Sequence, residues 1–221
     1  MGGLGSWRKN MSHFEYVTKK ETAAVREEIE EIIREVQDEV REHFTFSYQI
    51  IGSTKRNMIT RDAGSNTGFD FDYNIEPNVK GDAYSPKQIK EILRKAFEKI
   101  GREHGYTRCE DSTRVITIKQ YDNSILLFGT RIFHSCDFAI LRRIGKKKEY
   151  IHYDKARGIY LWETQPEEYR LDEKVEYLKE NRLWQEVRDE YLELKNSNRD
   201  REKKSRMLYA EAVNNIYDQY K

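Results

Sequence analysis

Residues 69–75 of the chain read Phe-Asp-Phe-Asp-Tyr-Asn-Ile, so polar and apolar side chains alternate along them. Alternation with a period of two predicts a β-strand with one apolar face and one polar face. Asp70 and Asp72 then stand on the same face, with their Cα atoms about 7 Å apart. Two carboxylates this close repel each other, which destabilises the fold unless a cation lies between them. The pair therefore predicts a cation site on this strand.

Two further features lie at the end or on the face of other predicted strands. Gly52 and Ser53 follow the apolar and aromatic run FTFSYQII, and Asp137 lies within the run IFHSCDFAIL. Because Gly52 has no side chain, backbone amides at this strand end can approach a phosphate closely. The Ser53 hydroxyl adds a donor for a phosphate oxygen. These residues predict a phosphate site close to the cation site.

The three carboxylates Asp70, Asp72 and Asp137 offer only oxygen ligands, which suit Mg²⁺. Two such ions about 3.5–4 Å apart can hold the attacking and leaving oxygens of an in-line phosphoryl displacement. A solvated strand face would explain Asp70 and Asp72 if they stood alone. Asp137, however, lies on an otherwise apolar strand, where an unpaired buried carboxylate is costly. The three together favour a metal site.

The stretches IIGSTKRN, GFDFDYNI and HSCDFAIL resemble the DNA polymerase β-type nucleotidyltransferase superfamily over about residues 40–141. The resemblance implies that Gly52 and Ser53 bind the triphosphate of a nucleoside triphosphate (NTP). It implies that the two metal ions are ligated by three carboxylates, with Asp70 and Asp72 on both ions and Asp137 completing the catalytic site. By the same resemblance, Asp137 helps to deprotonate the acceptor hydroxyl.

One further stretch resembles a particular branch of that superfamily, and another departs from the superfamily pattern. LWETQP, from Leu161 to Pro166, is similar to a Trp-x-x-x-Pro stretch in the oligoadenylate-synthetase-like and bacterial cyclic-oligonucleotide branches. The loop 54–69 is longer than is usual in the superfamily. For that reason no role in the superfamily is carried over to loop residues such as Lys55, Arg56 or Arg61.

Side chains near the carboxylates have simpler interpretations. Asn74 and Glu76 share the face of Asp72 but lie further along the strand, and we expect them to face solvent. His134 falls on the face opposite Asp137, which predicts a structural role. Cys136 also points away from Asp137, as a small core residue does.

The helix and strand signals predict an α+β fold, a mixed, mainly antiparallel sheet flanked by helices. Thr18 and Ser85 are expected to cap helices that run to about residue 43 and to near Gly105. Further strands are predicted at STRVITIKQY and SILLF, and a hairpin at YIHYDKARGIYLWET. We expect a catalytic domain over 1–165, in which 1–17 form a flexible leader, and a C-terminal helical segment over 166–221 packed on it.

Composition narrows the class of protein. The 221 residues contain 40 Lys and Arg against 39 Asp and Glu, so the net charge of +1 gives no global field for nucleic acid. Two cysteines are too few for a disulfide framework or a zinc site, which favours a reducing, cytoplasmic setting. We find no signal peptide and no apolar run long enough for a membrane span.

The sequence thus predicts a Mg²⁺-dependent nucleotidyltransferase that transfers a nucleoside monophosphate from an NTP to a hydroxyl acceptor. The acceptor is left open among a small molecule, a protein and RNA, and an oligonucleotide second messenger is an alternative product. Two other classes also stay open. One is a non-catalytic nucleotide-binding or regulatory module, and the other is an interaction protein that uses its C-terminal helices, for example as a homodimer.

Overall fold

A computed structural model of the chain describes residues 13–63, 68–122, 131–164, 171–200 and 202–221. Among these residues, no helix combines the length and apolarity that a membrane span requires. The strands and helices follow one another in this order: β1 (Phe14–Tyr16), α1 (Lys19–Glu39), β2 (Thr45–Ile50), α2 (Gly52–Arg56), β3 (Thr60–Asp62), β4 (Phe69–Asn78), α3 (Pro86–Glu103), β5 (Arg108–Asp111), β6 (Val115–Asp122), β7 (Arg131–Ile144), β8 (Lys147–Asp154), β9 (Ile159–Thr164), α4 (Leu171–Glu180), α5 (Trp184–Ser197) and α6 (Ser205–Tyr220).

The chain divides into two compact units. The sheet unit is formed by Tyr16–Arg61 and Asn66–Pro166, and the helical unit by Met1–Glu15, Asp62–Ser65 and Glu167–Lys221. The domain boundary at residue 165 stays a prediction. Within the helical unit, α5 and α4 both pack on α6, and the Asn196 side chain bonds both backbone polar groups of Phe14.

Seven strands of the described chain form one mixed sheet. Its main path runs β2-β4-β7-β6-β5, and β8 extends it by pairing with β7 and β9. Only the β4–β7 pair of this sheet is parallel among the described pairings. The predicted α+β class with a mainly antiparallel sheet is therefore confirmed.

One face of the sheet is apolar and packs against α1 and α3. Tyr73 and Phe138 are fully buried on it, and Phe97 of α3 stacks on Phe138 with ring centroids 3.9 Å apart. Cys136 is buried in the same core, and burial raises the pKa of its thiol well above the usual value. His134 is also fully buried, and its Nε2 lies 2.7 Å from the Tyr106 hydroxyl. Both residues are structural, as predicted.

The predicted helix starts are confirmed by their caps. Thr18 and Glu21 form a capping box at α1, and Ser85 forms another with Gln88 at α3. The first helix is shorter than predicted, because α1 ends at Glu39 and turns continue to residue 43. The hairpin is confirmed as β8 and β9.

Three local expectations differ from the structure or fall outside it. The chain after Gly52 forms the short helix α2, and the segment expected to be a loop contains β3. Strand β5 was not predicted. The strand expected at SILLF, residues 124–128, lies outside the described residues.

Lys90 of α3 is buried and ion-paired. Its Nζ lies 2.7 Å from Asp111 Oδ1 and donates to the Ser112 carbonyl at 2.6 Å, and 1% of its side chain is exposed. We expect Lys90→Ala to lower the free energy of unfolding by about 3 kcal/mol, because it leaves Asp111 without its cation and opens a cavity. Urea unfolding measures this, with Lys95→Ala on the exposed side of α3 as the control. Equal losses in the two variants would contradict the role assigned to Lys90.

Candidate active site

The three predicted carboxylates lie on one face of the sheet. Asp72 on β4 and Asp137 on β7 are direct partners in the parallel register, and Asp70 is the partner of Ser135. Neighbouring strands are about 4.8 Å apart, so Asp72 and Asp137 stand side by side. Asp70 precedes Asp72 by two residues on β4 and therefore lies on the same face. The parallel β4–β7 pair thus brings together residues that are far apart in the sequence.

Two hydroxyl groups hold the outer carboxylates in place. Ser135 Oγ donates a hydrogen bond to Asp70 Oδ1, and Thr117 Oγ1 donates one to Asp137 Oδ1 at 2.6 Å. Both hydroxyl residues are buried, with 6% of Ser135 and 8% of Thr117 exposed. Sequence reasoning assigned neither residue a role. The alternation along β7 places Ser135 on the face of Asp137, so the sequence contained a signal for it. Thr117 lies on a different strand, β6, and the sequence alone does not show that it is next to Asp137.

The protonation of these carboxylates reflects their crowding. Burial, followed by the negative charges of Asp137 and Asp70, raises the pKa of Asp72 to about 6. Burial also raises the pKa of Asp137, and the hydrogen bond from Thr117 opposes that rise. Both shifts mean that placing these negative charges together is unfavourable in the protein alone.

Gly52 lies directly against Asp72. Its φ of +63° is in the left-handed region, and a Cβ at this position would stand 2.3 Å from Asp72 Oδ2. The backbone N–H of Ile51 also donates to the Asp72 carbonyl at 2.9 Å. Glycine is needed here for its backbone conformation and for the close approach of the carboxylate. Ser53 is the next residue, at the second position of α2.

Oxygen donors of this kind fit Mg²⁺. As the described side chains stand, no group of three His, Cys, Asp or Glu is gathered closely enough to hold a metal ion. The hydroxyls of Ser135 and Thr117 contact Oδ1 of their carboxylates. Asp70, Asp72 and Asp137 are the residues that would hold such an ion. The chemistry of this all-oxygen donor set fits the ion.

Three polar residues near the carboxylates are held in ion pairs or buried. Lys119 Nζ lies on their face of the sheet, 2.6 Å from Glu110. Arg114 precedes β6, and its guanidinium lies 2.6 Å from Glu163. Asn74 is 6% exposed, so the expectation that it faces solvent is wrong. Strands β2 and β7 flank β4 on its two sides and reduce the exposure of Asn74. The alternation pattern alone does not reveal these neighbours.

The Trp-x-x-x-Pro stretch is only partly described. Trp162 lies on β9, partly buried, and the Arg142 guanidinium lies over its ring at 4.7 Å from the centroid. Pro166 lies outside the described residues.

The known proteins that this chain matches are similar to it in three-dimensional structure. No protein-family model and no curated protein matches the chain. Escherichia coli DncV in its 3'-deoxy GTP bound form matches 92% of this chain and 54% of its own, with a TM-score of 0.57 and 16% identity. Vibrio cholerae DncV, a cyclic AMP-GMP synthase and prokaryotic cGAS homolog, matches 81% of this chain and 61% of its own, with a TM-score of 0.56 and 10% identity.

A third structure is the cyclic dinucleotide synthase CdnE of Elizabethkingia meningoseptica with GTP and Apcpp. It matches 89% of this chain and 70% of its own, with a TM-score of 0.54 and 14% identity. This chain spans about half the length of the DncV structures it matches. The resemblance predicted from the sequence is confirmed at the level of fold: the chain has the nucleotidyltransferase fold of DncV and CdnE.

Proposed function

We propose that this chain is a Mg²⁺-dependent nucleotidyltransferase, which transfers a nucleoside monophosphate from an NTP to a hydroxyl acceptor and releases pyrophosphate. The observation that carries the proposal is the pairing of Asp72 with Asp137 on adjacent parallel strands, with Asp70 on the same face. A protein gains nothing in stability from such crowding, since burial and like charge raise the pKa of Asp72 to about 6. A dication is the partner that allows all three carboxylates to ionise together.

Each predicted residue has a role in this proposal. Asp70 and Asp72 would hold both ions, and Asp137 would complete the catalytic site. Bound there, Mg²⁺ supplies charge neutralisation to the oxygens of the transferring phosphoryl group. Gly52 and Ser53, beside Asp72, would bind the triphosphate through backbone amides and the hydroxyl. Ser135 and Thr117 are positioning residues, because they fix Oδ1 of Asp70 and Asp137.

The transfer step uses Asp137 as the proton acceptor. The acceptor hydroxyl oxygen attacks the α-phosphorus, the bond to the α–β bridging oxygen breaks, and pyrophosphate leaves. The hydroxyl proton passes to Asp137, which lies beside Asp72 on the face of the sheet that carries the three carboxylates. The rest of catalysis is positioning and electrostatic stabilisation, as phosphoryl transfer requires.

We place the acceptor hydroxyl on a second nucleotide. The support is that DncV and CdnE, whose fold this chain shares, are a cyclic AMP-GMP synthase and a cyclic dinucleotide synthase. The product would then be an oligonucleotide. A non-catalytic nucleotide-binding module of the same fold would bind the same NTP without releasing pyrophosphate.

A thermal-shift experiment tests the donor site. ATP, GTP, CTP and UTP are each added with and without Mg²⁺ to the wild type, Asp72→Asn and Asp82→Asn, the last being an exposed turn residue. We expect at least one NTP to raise the melting temperature of the wild type and of Asp82→Asn only when Mg²⁺ is present. Asp72→Asn should lose that dependence. A wild type that no NTP stabilises would overturn the proposal.

Thr117→Val is expected to change the pH dependence of turnover. The Thr117 hydroxyl lowers the pKa of Asp137, and Asp137 accepts a proton only when ionised. Removing the hydroxyl therefore raises the pKa of Asp137 and moves the acidic limb of the pH–rate profile to higher pH. Rates from pH 5.5 to 8.5 measure the shift, with exposed Thr107→Val as the matched control. An unshifted profile would exclude a link between Thr117 and the base.

A further inference from the structure

A cleft lies beside the carboxylates on the same face of the sheet. Its volume is about 260 Å³. We call it the Asn74 cleft, and its lining includes Ser47, Gln49, Asn74, Glu76, Leu141 and Arg143. Asn74 follows Asp72 by two residues on β4, about 7 Å along the strand at Cα. A ligand in this cleft is therefore next to the proposed metal site.

Asn74 is the unusual member of this lining. Only 6% of it is exposed, and its Oδ1 accepts no hydrogen bond from any described residue. Its Nδ2 donates to the Tyr150 hydroxyl at 3.5 Å, which is a long and weak contact. A buried carbonyl oxygen without a donor destabilises a fold, and native proteins rarely leave one so. The amide is therefore suited to a partner that comes from outside the chain.

The size and chemistry of the cleft limit that partner. Pockets that enclose whole drug-sized ligands measure roughly 300–1,000 Å³, so this cleft fits one ring system. Leu141 gives it an apolar wall, and Arg143, held at 3.0 Å by Glu76, gives it a planar cation. Planar bases stack on guanidinium groups. The lining thus suits a flat, hydrogen-bonding ring.

An amide oxygen and an amide nitrogen on one side chain match adenine. An asparagine accepts from the adenine N6 amine and donates to N7 in a bidentate contact. Asn74 has the unfilled acceptor and a weakly engaged donor that this contact uses. A ribose joined to a base in the cleft would then lie over Asp72 and Asp137, one strand repeat away.

We propose that the Asn74 cleft binds the adenine ring of an adenine nucleotide and that Asn74 determines the preference for this base. The inference rests on the proposed function and deepens it, since it names a base and the residue that recognises it. The adenine N6 amine supplies the hydrogen-bond donor that Asn74 Oδ1 lacks among the described residues. The nucleotide's sugar and phosphates point toward the carboxylates.

The test uses AMP without metal, measured by titration calorimetry on the full chain in EDTA. We expect AMP to bind at least about tenfold more tightly than UMP, and Asn74→Leu to weaken AMP binding by about tenfold. Asn78→Leu, an exposed residue further along β4, is the matched control and should bind AMP as the wild type does. The melting temperature of ligand-free Asn74→Leu should equal or exceed that of the wild type.

Two AMP analogues repeat the test on the wild type, where folding is not at issue. The 7-deaza analogue lacks the N7 acceptor, and purine riboside monophosphate lacks the N6 amine. Each should bind about tenfold more weakly than AMP. Equal binding of AMP and both analogues would overturn the inference, as would absence of AMP binding or a lowered melting temperature of Asn74→Leu.

Failure of this inference is distinguishable from failure of the proposed function. Metal-free AMP binding involves no turnover and no Mg²⁺. Loss of NTP turnover with Asn74-dependent AMP binding intact would overturn the proposed function alone. Turnover without base preference or dependence on Asn74 would overturn the inference alone.

Discussion

Asp72→Asn is expected to abolish nucleotidyl transfer, with a loss of at least about 100–1,000-fold in turnover. Asp72 is the central carboxylate, since it pairs with Asp137 and lies two residues from Asp70. An amide in its place carries no charge and is a weaker ligand for Mg²⁺. Pyrophosphate release from each NTP measures the effect, with Asp82→Asn as the control. Turnover retained within tenfold would exclude Asp72 as a metal ligand.

The same substitution is expected to stabilise the fold at neutral pH. The pKa of Asp72 is about 6 in the folded chain against an ordinary value of 3.8. A raised carboxyl pKa contributes stability that is present below pH 3.8 and is lost as the pH rises through 6. Asparagine does not ionise, so it does not lose this stability as the pH rises. We therefore expect Asp72→Asn to be more stable than the wild type by about 2 kcal/mol at pH 7.5.

Urea unfolding in EDTA between pH 3.5 and 8 measures this difference. The advantage of Asp72→Asn over the wild type should shrink toward zero as the pH falls through the range between the two pKa values. Asp82→Asn should follow the wild type at each pH. If Asp72→Asn unfolds more easily than the wild type at pH 7.5, the carboxylate is a structural group.

Gly52→Ala is expected to damage both the fold and the site. The new Cβ would stand 2.3 Å from Asp72 Oδ2 at a φ of +63°, so the carboxylate or the strand end has to move. We expect a loss of about 2–3 kcal/mol in the free energy of unfolding, of which the left-handed backbone accounts for about 1–2 kcal/mol. Displacement of Asp72 should also remove the Mg²⁺-dependent stabilisation by NTP.

Gly81→Ala separates the two causes. Gly81 has a similar φ of +55°, but a Cβ there would meet nothing within 4 Å. It should therefore lose stability from its backbone alone and keep NTP binding. Equal losses of stability in the two variants, with NTP binding kept in both, would show that the contact between Gly52 and Asp72 has no consequence.

Strand β4 shows what the sequence could predict. Its period-two alternation comes from local geometry, because successive side chains point to opposite faces whatever the neighbours are. The apolar face of Phe71 and Tyr73 and the polar face of Asp70 and Asp72 therefore follow from the chain itself. Asp137 was predicted from its place in an otherwise apolar strand, and the parallel register places it beside Asp72.

The missed features depend on tertiary neighbours or carry little local signal. β5 reads Arg-Cys-Glu-Asp, which has no alternation, and it is a strand because β6 pairs with it. α2 has five residues and no apolar stripe. The burial of Asn74 and the hydrogen bond from Thr117 to Asp137 both depend on which strands lie side by side, and a single sequence does not give that order.

Label transfer from an NTP tests the central claim most directly. The chain is incubated with Mg²⁺ and each NTP labelled on either the α- or the γ-phosphate, beside Asp72→Asn and Asp82→Asn. We predict that the α-label enters a larger nucleotide product and that the γ-label leaves as pyrophosphate, in the wild type and Asp82→Asn only. Release of the γ-label as inorganic phosphate, or no transfer by a chain that binds NTP and Mg²⁺, would contradict nucleotidyl transfer at these carboxylates.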